Sequence, residues 1–502
     1  MRRQLESKRL SIWLVYAAIA GISLCFMVIH AEDTGFWYDE FAQICFSGLN
    51  QTILDSLLIT DPTPPLFNVL ANIWYDLVPY GERWLLLLPQ LGMSCGVYVC
   101  ALWGEMLGGK RAGIWTGMLV GFSQMVIEQC GFEFRGYGFY LMFSALALYL
   151  HGRLLAEGKQ ATPGLYAAFC AALTGLLYSH VFGALIFAGI GSIDVFLILR
   201  RKAPKKRLLP FVIAGLVYLP WVLYFLTSAG QLTAQAEVNW MSAPTLWDVV
   251  KLIAYLCGNH IVVCGLFAAG SLAVLLQVCR AFKNRRCPTE LLQKMVPFVV
   301  SAFVILLAFL YGSLRAQYAS LWVKRYFTGL FPCCAAVCAL GTVQIGALIK
   351  RRFKKKAAER VGATLLALTI FPVFLIKTAV GDTPLEKYYH REVTQVLYEQ
   401  PDIREEKVMI LSTFDQYLEG WEEYYCQQKG AREGLGIRSV YDVAPEELRK
   451  MEVVYFEYNF WEERSRQCPI RRILEEEYIP TQCWDDIRLI RYEKTSGGEI
   501  KI

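Results

Sequence analysis

Charge is scarce in this chain. Only 19% of its 502 residues are Asp, Glu, Lys or Arg, against about 25% in soluble domains, and a deficit of that size excludes an ordinary water-soluble protein. With 55% hydrophobic residues, its apolar surface belongs in lipid. Also missing are the paired CxxC spacing of structural zinc sites, any repeat of about 20 to 50 residues, and a nucleotide fingerprint in the C-terminal part. The first apolar run follows Arg2, Arg3, Lys8 and Arg9 but lacks a small-residue cleavage site, so it reads as a retained first helix. A formal charge of +6 invites a nucleic-acid reading, yet Lys and Arg stand in small blocks at helix ends. Such blocks are topology signals.

Sixteen cysteines make a disulfide scaffold only in a short secreted chain. Most here lie inside apolar stretches, among them Cys95, Cys100, Cys170, Cys257, Cys333, Cys334 and Cys338, where they act as small hydrophobes. Cys426, Cys468 and Cys483 fall in the C-terminal part, where one pair can be oxidised if that part faces an oxidising compartment.

Apolar segments near the spanning length of roughly 20 residues predict about eleven crossings. They lie near 11–30, 84–107, 111–129, 134–152, 163–178, 181–199, 208–227, 261–280, 296–313, 326–348 and 360–379. The links between them sort by charge. Lys110/Arg111, Arg153/Lys159, Arg200 to Arg207, Arg280 to Lys294 and Lys350 to Lys356 share one side with the N-terminus, which the positive-inside bias makes cytoplasmic. An odd number of crossings then leaves the C-terminal domain outside. The first outer link, 31–83, is acidic until Arg83, and Pro64-Pro65 opens a helix over 64–79 expected to lie along the outer surface. Residues 381–502 mix helix-like stretches with β-rich runs at Val408–Ser412, Val453–Tyr458 and Ile487–Tyr492, predicting a small extracytoplasmic α/β domain. Gly113, Gly117 and Gly121 give one span a small-residue face for close helix packing.

Ionisable groups beside lipid are costly and tend to be kept for use, so those at the outer edges carry the chemistry. Asp39-Glu40, after Trp37-Tyr38, pairs two carboxylates, a base with its electrostatic or metal-binding partner; a solvated acidic loop is the plainer alternative. Asp61 precedes Pro62-Thr63-Pro64-Pro65 and can cap the surface helix. Glu133-Phe134-Arg135-Gly136-Tyr137 lies between two spans, where an ion-paired helix end competes with a functional role. Tyr178-Ser179-His180 breaks an apolar run and offers a hydrogen-bond donor. Arg315 and Lys324-Arg325-Tyr326 put cations on the outer side, against the charge rule. An anion such as an isoprenoid phosphate explains that placement; snorkelling helix ends are the alternative.

Taken in order, these motifs resemble the membrane glycosyltransferases of type C (GT-C), the group holding dolichyl-phosphate-mannose protein mannosyltransferases, the aminoarabinose transferase of lipid A and many bacterial relatives. The resemblance covers residues 1–380. It rests on Asp39-Glu40, Asp61-Pro-Thr-Pro-Pro-Leu66, Gly109-Lys-Arg-Ala-Gly113, Phe132-Glu-Phe-Arg-Gly-Tyr137, Tyr178-Ser-His180 and Lys324-Arg-Tyr326. Thr63 stands where relatives commonly have His, and Phe132 where many have Gln. The resemblance implies a mainly α, polytopic catalytic bundle that transfers a sugar from a polyprenyl-phosphate donor to a glycan, lipid or protein acceptor outside a plasma membrane, with inversion. Asp39 is then the general base, and Glu40 orients it or helps hold a divalent cation if one is used. Arg135, Lys324 and Arg325 take the phosphate, while Asp61, Glu133, Tyr137 and His180 position the substrates. A lipid or glycan transporter or flippase also explains intramembrane charge but calls for broken helices and internal pseudo-symmetry. An anchored receptor needs neither Asp39-Glu40 nor Arg325.

Overall fold

The computed structural model describes residues 2–31, 35–48, 51–58, 63–235, 243–284, 288–314, 321–353, 356–380, 390–413, 418–427, 432–458 and 469–495. They form two compact units. One takes in 1–31, 58–67 and 86–383; the other gathers 32–57, 68–85 and 384–502.

The first unit is helical. Its helices are α1 (Arg2–His30), α5 (Glu82–Gly108, entering from the other unit), α6 (Lys110–Gly121), α7 (Gln124–Gly131), α8 (Tyr137–Glu157), α9 (Pro163–Ser179), α10 (Gly183–Leu199), α11 (Leu209–Gln235), α12 (Leu246–Leu256), α13 (Ile261–Lys283), α14 (Thr289–Leu314), α15 (Phe331–Phe353) and α16 (Lys356–Val380). A 3-10 stretch, Lys324–Leu330, leads into α15. Among the described residues, eight helical segments are long and apolar enough to cross a membrane. α9 and α10, expected as crossings, are shorter apolar helices. The expected crossing at 111–129 is two helices parted at Phe122-Ser123, where a Gly-x-Ser sequence lets the helical ladder break. Among the described residues the eleven expected segments thus appear as eight long apolar helices, two shorter ones and one divided segment.

Close packing depends on small residues. A Cβ on Gly113 would stand 2.7 Å from the Ala101 carbonyl oxygen, and one on Gly121 3.2 Å from Val97, so α6 meets α5 along the glycine face read from the sequence. The Ser23 hydroxyl, on α1, donates to the Gly121 carbonyl at 2.6 Å. Thr162 caps α9 by accepting from the Leu165 amide with Pro163 at the first helical position.

One charged group inside this unit escaped the sequence reading. Asp194, in the apolar α10, is fully buried beside His151 and Arg207, which are buried too. The Arg207 guanidinium lies 2.7 Å from Asp194 Oδ1, His151 Nε2 lies 3.3 Å from the same oxygen, and the other Arg207 Nη donates to the Leu154 carbonyl at 3.4 Å. The cluster ties α8 and α10 to the 3-10 turn Lys205–Leu208 that precedes α11.

The second unit holds α2 (Tyr38–Ser47), α3 (Ile53–Leu57), most of α4 (Leu66–Leu77), α17 (His390–Glu399), α18 (Leu418–Trp421) and α19 (Pro445–Leu448). A five-stranded sheet runs in the order β2-β1-β3-β5-β4, from β1 (Val408–Ser412), β2 (Arg438–Ser439), β3 (Val453–Glu457), β4 (Tyr478–Trp484) and β5 (Leu489–Lys494). β1 is parallel to β2 and β3, while β5 is antiparallel to β3 and β4. Met409, Leu411, Val454 and Phe456 pack with Leu448 and Leu474, the period of two putting alternate residues on that face. On the opposite face the Tyr455 hydroxyl donates to Asp402 at 2.6 Å and Arg491 pairs with Asp402 at 2.7 Å. Cys426 and Cys483 are free thiols; Cys468, the third member of the expected oxidisable set, lies outside the described residues.

Breaking a buried ion pair strands the remaining charge, whereas replacing both partners with apolar groups does not. Asp194→Leu should therefore lower stability by about 3–5 kcal/mol, and adding Arg207→Leu should restore most of the loss. Thermal unfolding of the detergent-solubilised protein checks both.

Candidate functional site

In the first unit three interruptions of helix meet. α7 ends at Gly131 and the chain runs non-helically through Phe132–Gly136 before α8. α9 ends at Ser179, and His180 is extended (φ −164°, ψ 145°). Before the 3-10 stretch, Leu321 adopts a left-handed φ of 55°, a conformation that costs an L-residue roughly 1–2 kcal/mol and turns the chain into Lys324–Leu330. Regular helix would have spread these residues around cylinders. The interruptions converge them instead.

His180 is the centre. Its ring stacks on Tyr140 at 4.8 Å with a 20° interplanar angle, and Tyr326 and Tyr137 stand 5.2 Å and 5.6 Å away. Nδ1 accepts the Phe182 amide at 3.1 Å, so in the neutral ring the hydrogen rests on Nε2. Burial, reinforced by the positive charges of Arg135 and Arg325, pushes the imidazole down to about 3. His180 is thus a neutral donor, not a cation. Arg135 and Arg325, from two different interruptions, bring their charges to the same ring.

The remaining predicted residues of this unit stand close by. Tyr137 is buried and opens α8. Glu133 is fully buried, and its carbonyl accepts the Arg135 amide at 2.8 Å. Lys324, at the first position of the 3-10 stretch, is exposed, while Arg325 is half-buried. Tyr255, which the sequence reading passed over, lies near enough to Glu133 that burial first, then Cys130 and Glu133, hold its hydroxyl well above the usual phenol range. It remains a protonated donor. A tyrosine within an amphipathic helix gives no signal of such a place.

In the second unit Asp39 and Glu40 sit in the first turn of α2, where carboxylates oppose the positive end of the helix dipole. Adjacent helical positions diverge, and the two differ accordingly. Glu40 is fully buried, and its Oε2 accepts the Trp37 amide at 3.1 Å, which fixes the start of the helix. Asp39 is half-exposed and is the reachable carboxylate of the pair. Among the described residues no third His, Asp or Glu joins them in a metal-holding group. One Glu40 oxygen is taken by that backbone amide, and no step below passes through a metal ion.

α2 is anchored by the C-terminal segment. The Tyr425 hydroxyl donates to Glu82 and accepts the Phe36 amide at 3.0 Å, while the other Glu82 oxygen accepts the Gly35 amide at 3.0 Å. Phe41 packs edge-on against His390 at 5.0 Å. Gln43 donates to Asn68 at 2.9 Å, joining α2 to α4. Asp61 and Arg315 lie outside the described residues.

No protein-family model matches the sequence, nor does any curated protein sequence. Solved structures do. ArnT from Cupriavidus metallidurans in the apo state superposes with a TM-score of 0.58 at 12% identity, over 97% of this chain and 99% of that one. The same protein bound to undecaprenyl phosphate gives 0.54 at 11% identity over the same shares. The apo oligosaccharyltransferase of Archaeoglobus fulgidus gives 0.53 at 13% identity, over 89% of this chain and 69% of that one. The chain therefore shares the fold of these transferase structures, and its eight long apolar helices are those of a multi-pass membrane protein.

His180 also predicts an acid sensitivity. Between its ordinary value of 6.5 and about 3, the unfolded chain binds a proton that the folded chain refuses. Stability is then whole above about 6.5 and falls as pH drops toward 3. His180→Asn keeps an acceptor for the Phe182 amide but does not titrate. Its thermal midpoint should fall less between pH 7 and pH 5 than that of the parent protein.

Proposed function

We propose that this protein is a membrane glycosyltransferase that moves one sugar from a polyprenyl-phosphate donor to a glycan, lipid or protein acceptor on the extracytoplasmic side, with inversion at the anomeric carbon. The observation that carries the reading is the meeting of the Arg135 and Arg325 charges at the neutral, hydrogen-donating His180. Two guanidinium groups converging on a hydrogen-bond donor offer a phosphate the paired donors it takes best. Support for a polyprenyl carrier comes from the undecaprenyl phosphate bound to ArnT.

Each residue has a role in that reaction. Asp39 takes the proton of the attacking acceptor hydroxyl, as general base, and Glu40 orients it by holding the first turn of α2. As the bond from the anomeric carbon to the phosphate oxygen breaks, negative charge grows on the departing polyprenyl phosphate. Arg135, Arg325 and the more exposed Lys324 stabilise it there. His180 donates from Nε2, while Glu133 and Tyr137, with Asp61, position donor and acceptor. The N-terminus is assigned to the cytoplasm on the charge bias of the links.

Mass spectrometry of surface glycans from cells with and without the protein should show one sugar lost, naming donor class and acceptor together; unchanged glycans would refute the transfer. With the purified enzyme, Asp39→Asn should abolish transfer while membrane insertion persists. Arg325→Ala should lower kcat by about 10²–10³. Full activity in the Asp39 variant would remove it as the base.

A further inference from the structure

Three of the cysteines that read as small hydrophobes converge on one point. Cys334 and Cys338 are four residues apart on α15 and so share a face. Cys257 ends α12, where Gly258 (φ 67°) and Asn259 (φ 50°) turn the chain into α13. α13 and α15 meet backbone to backbone: a Cβ on Gly270 would stand 2.0 Å from the Val337 carbonyl oxygen, and one on Gly341 2.1 Å from that of Leu266. That approach brings the α12–α13 elbow onto the first turns of α15. All three thiols are buried, and their sulfurs lie within 4.8 Å of one another.

We infer that Cys257, Cys334 and Cys338 form a thiolate site for a thiophilic d10 cation, Zn2+ or Cu+, seated between the α12–α13 elbow and the start of α15. The Cys257 and Cys334 sulfurs are 3.6 Å apart, too far for a bond of about 2.05 Å. Zn–S bonds of about 2.3 Å put tetrahedral sulfurs about 3.8 Å apart, so the Cys257–Cys334 spacing suits two ligands of one ion, with Cys338 Sγ within 4.8 Å of both. Cys257 and Cys338 also border a cavity of about 10 Å³, and the rest of its lining is apolar apart from Ser123. An all-sulfur donor set excludes Mg2+ and Ca2+ and selects soft cations. Binding releases the thiol protons to solvent as the metal–sulfur bonds form, with no change of oxidation state. Bound there, the ion pins the elbow to the helix that continues Lys324–Leu330, and thereby steadies Arg325.

The test uses the full chain, purified in detergent under reducing conditions, loaded separately with Zn2+ and Cu+, passed over a chelating resin and measured by mass spectrometry of the metal. About one equivalent of one of the two should remain per chain. Retention should fall at least about tenfold in Cys257→Ser and in the Cys334→Ser/Cys338→Ser double variant, but persist in Cys333→Ser, a buried thiol outside the trio. Loading the unmutated protein with Co2+ needs no variant to fold, and thiolate-to-cobalt charge-transfer absorption is expected. No retained metal, or equal retention in the double variant, would overturn the site. Sugar transfer is not measured, so the outcome is independent of the function proposed above.

Discussion

A polar group carried among lipid-facing helices must find its partners inside the protein, because the surrounding hydrocarbon supplies none. Everything informative in the first unit follows from how that demand is met. Asp194 is tolerated because His151 and Arg207 reach it from two other elements. Glu133, Arg135, His180 and Arg325 all sit where the helical ladder has stopped. At such breaks the backbone can turn side chains toward a common point, and freed amides find acceptors, as that of Phe182 does on His180.

The second unit solves a different problem. Residues 32–57 and 68–85 are too short to build a core of their own, and they share one with the C-terminal segment. Phe36 and Phe41 pack with Tyr424, Tyr425 and His390, and Glu82 is bound to Tyr425. The carboxylate pair of α2 is thus held by residues more than three hundred positions away in the chain. Most of α2 is buried, with the Glu40 and Glu82 carboxylates spent on backbone amides and a tyrosine hydroxyl. Only Asp39 of the pair keeps a face toward solvent.

Elements with a strong period were legible. The strand read over Val408–Ser412 appears with those bounds, Pro64-Pro65 does precede a helix, Leu66–Leu77, and the glycine face of 113–121 is the one that packs. Where periodicity is silent, so was the reading. Nothing in an apolar run marks Phe122-Ser123 as a break, or shows that Cys257 meets Cys334, seventy-seven residues on. A lone acid in α10 was a legible signal that went unused.

Composition and periodicity were enough for the medium this protein inhabits, the identity of its helices and the short list of charged positions, since those depend on local transfer free energies summed along the chain. Which of those positions meet, which carboxylate is a cap and which is reachable, and which cysteines converge depended on folding. Such relations arise from side chains far apart in sequence, whose distances no local preference encodes.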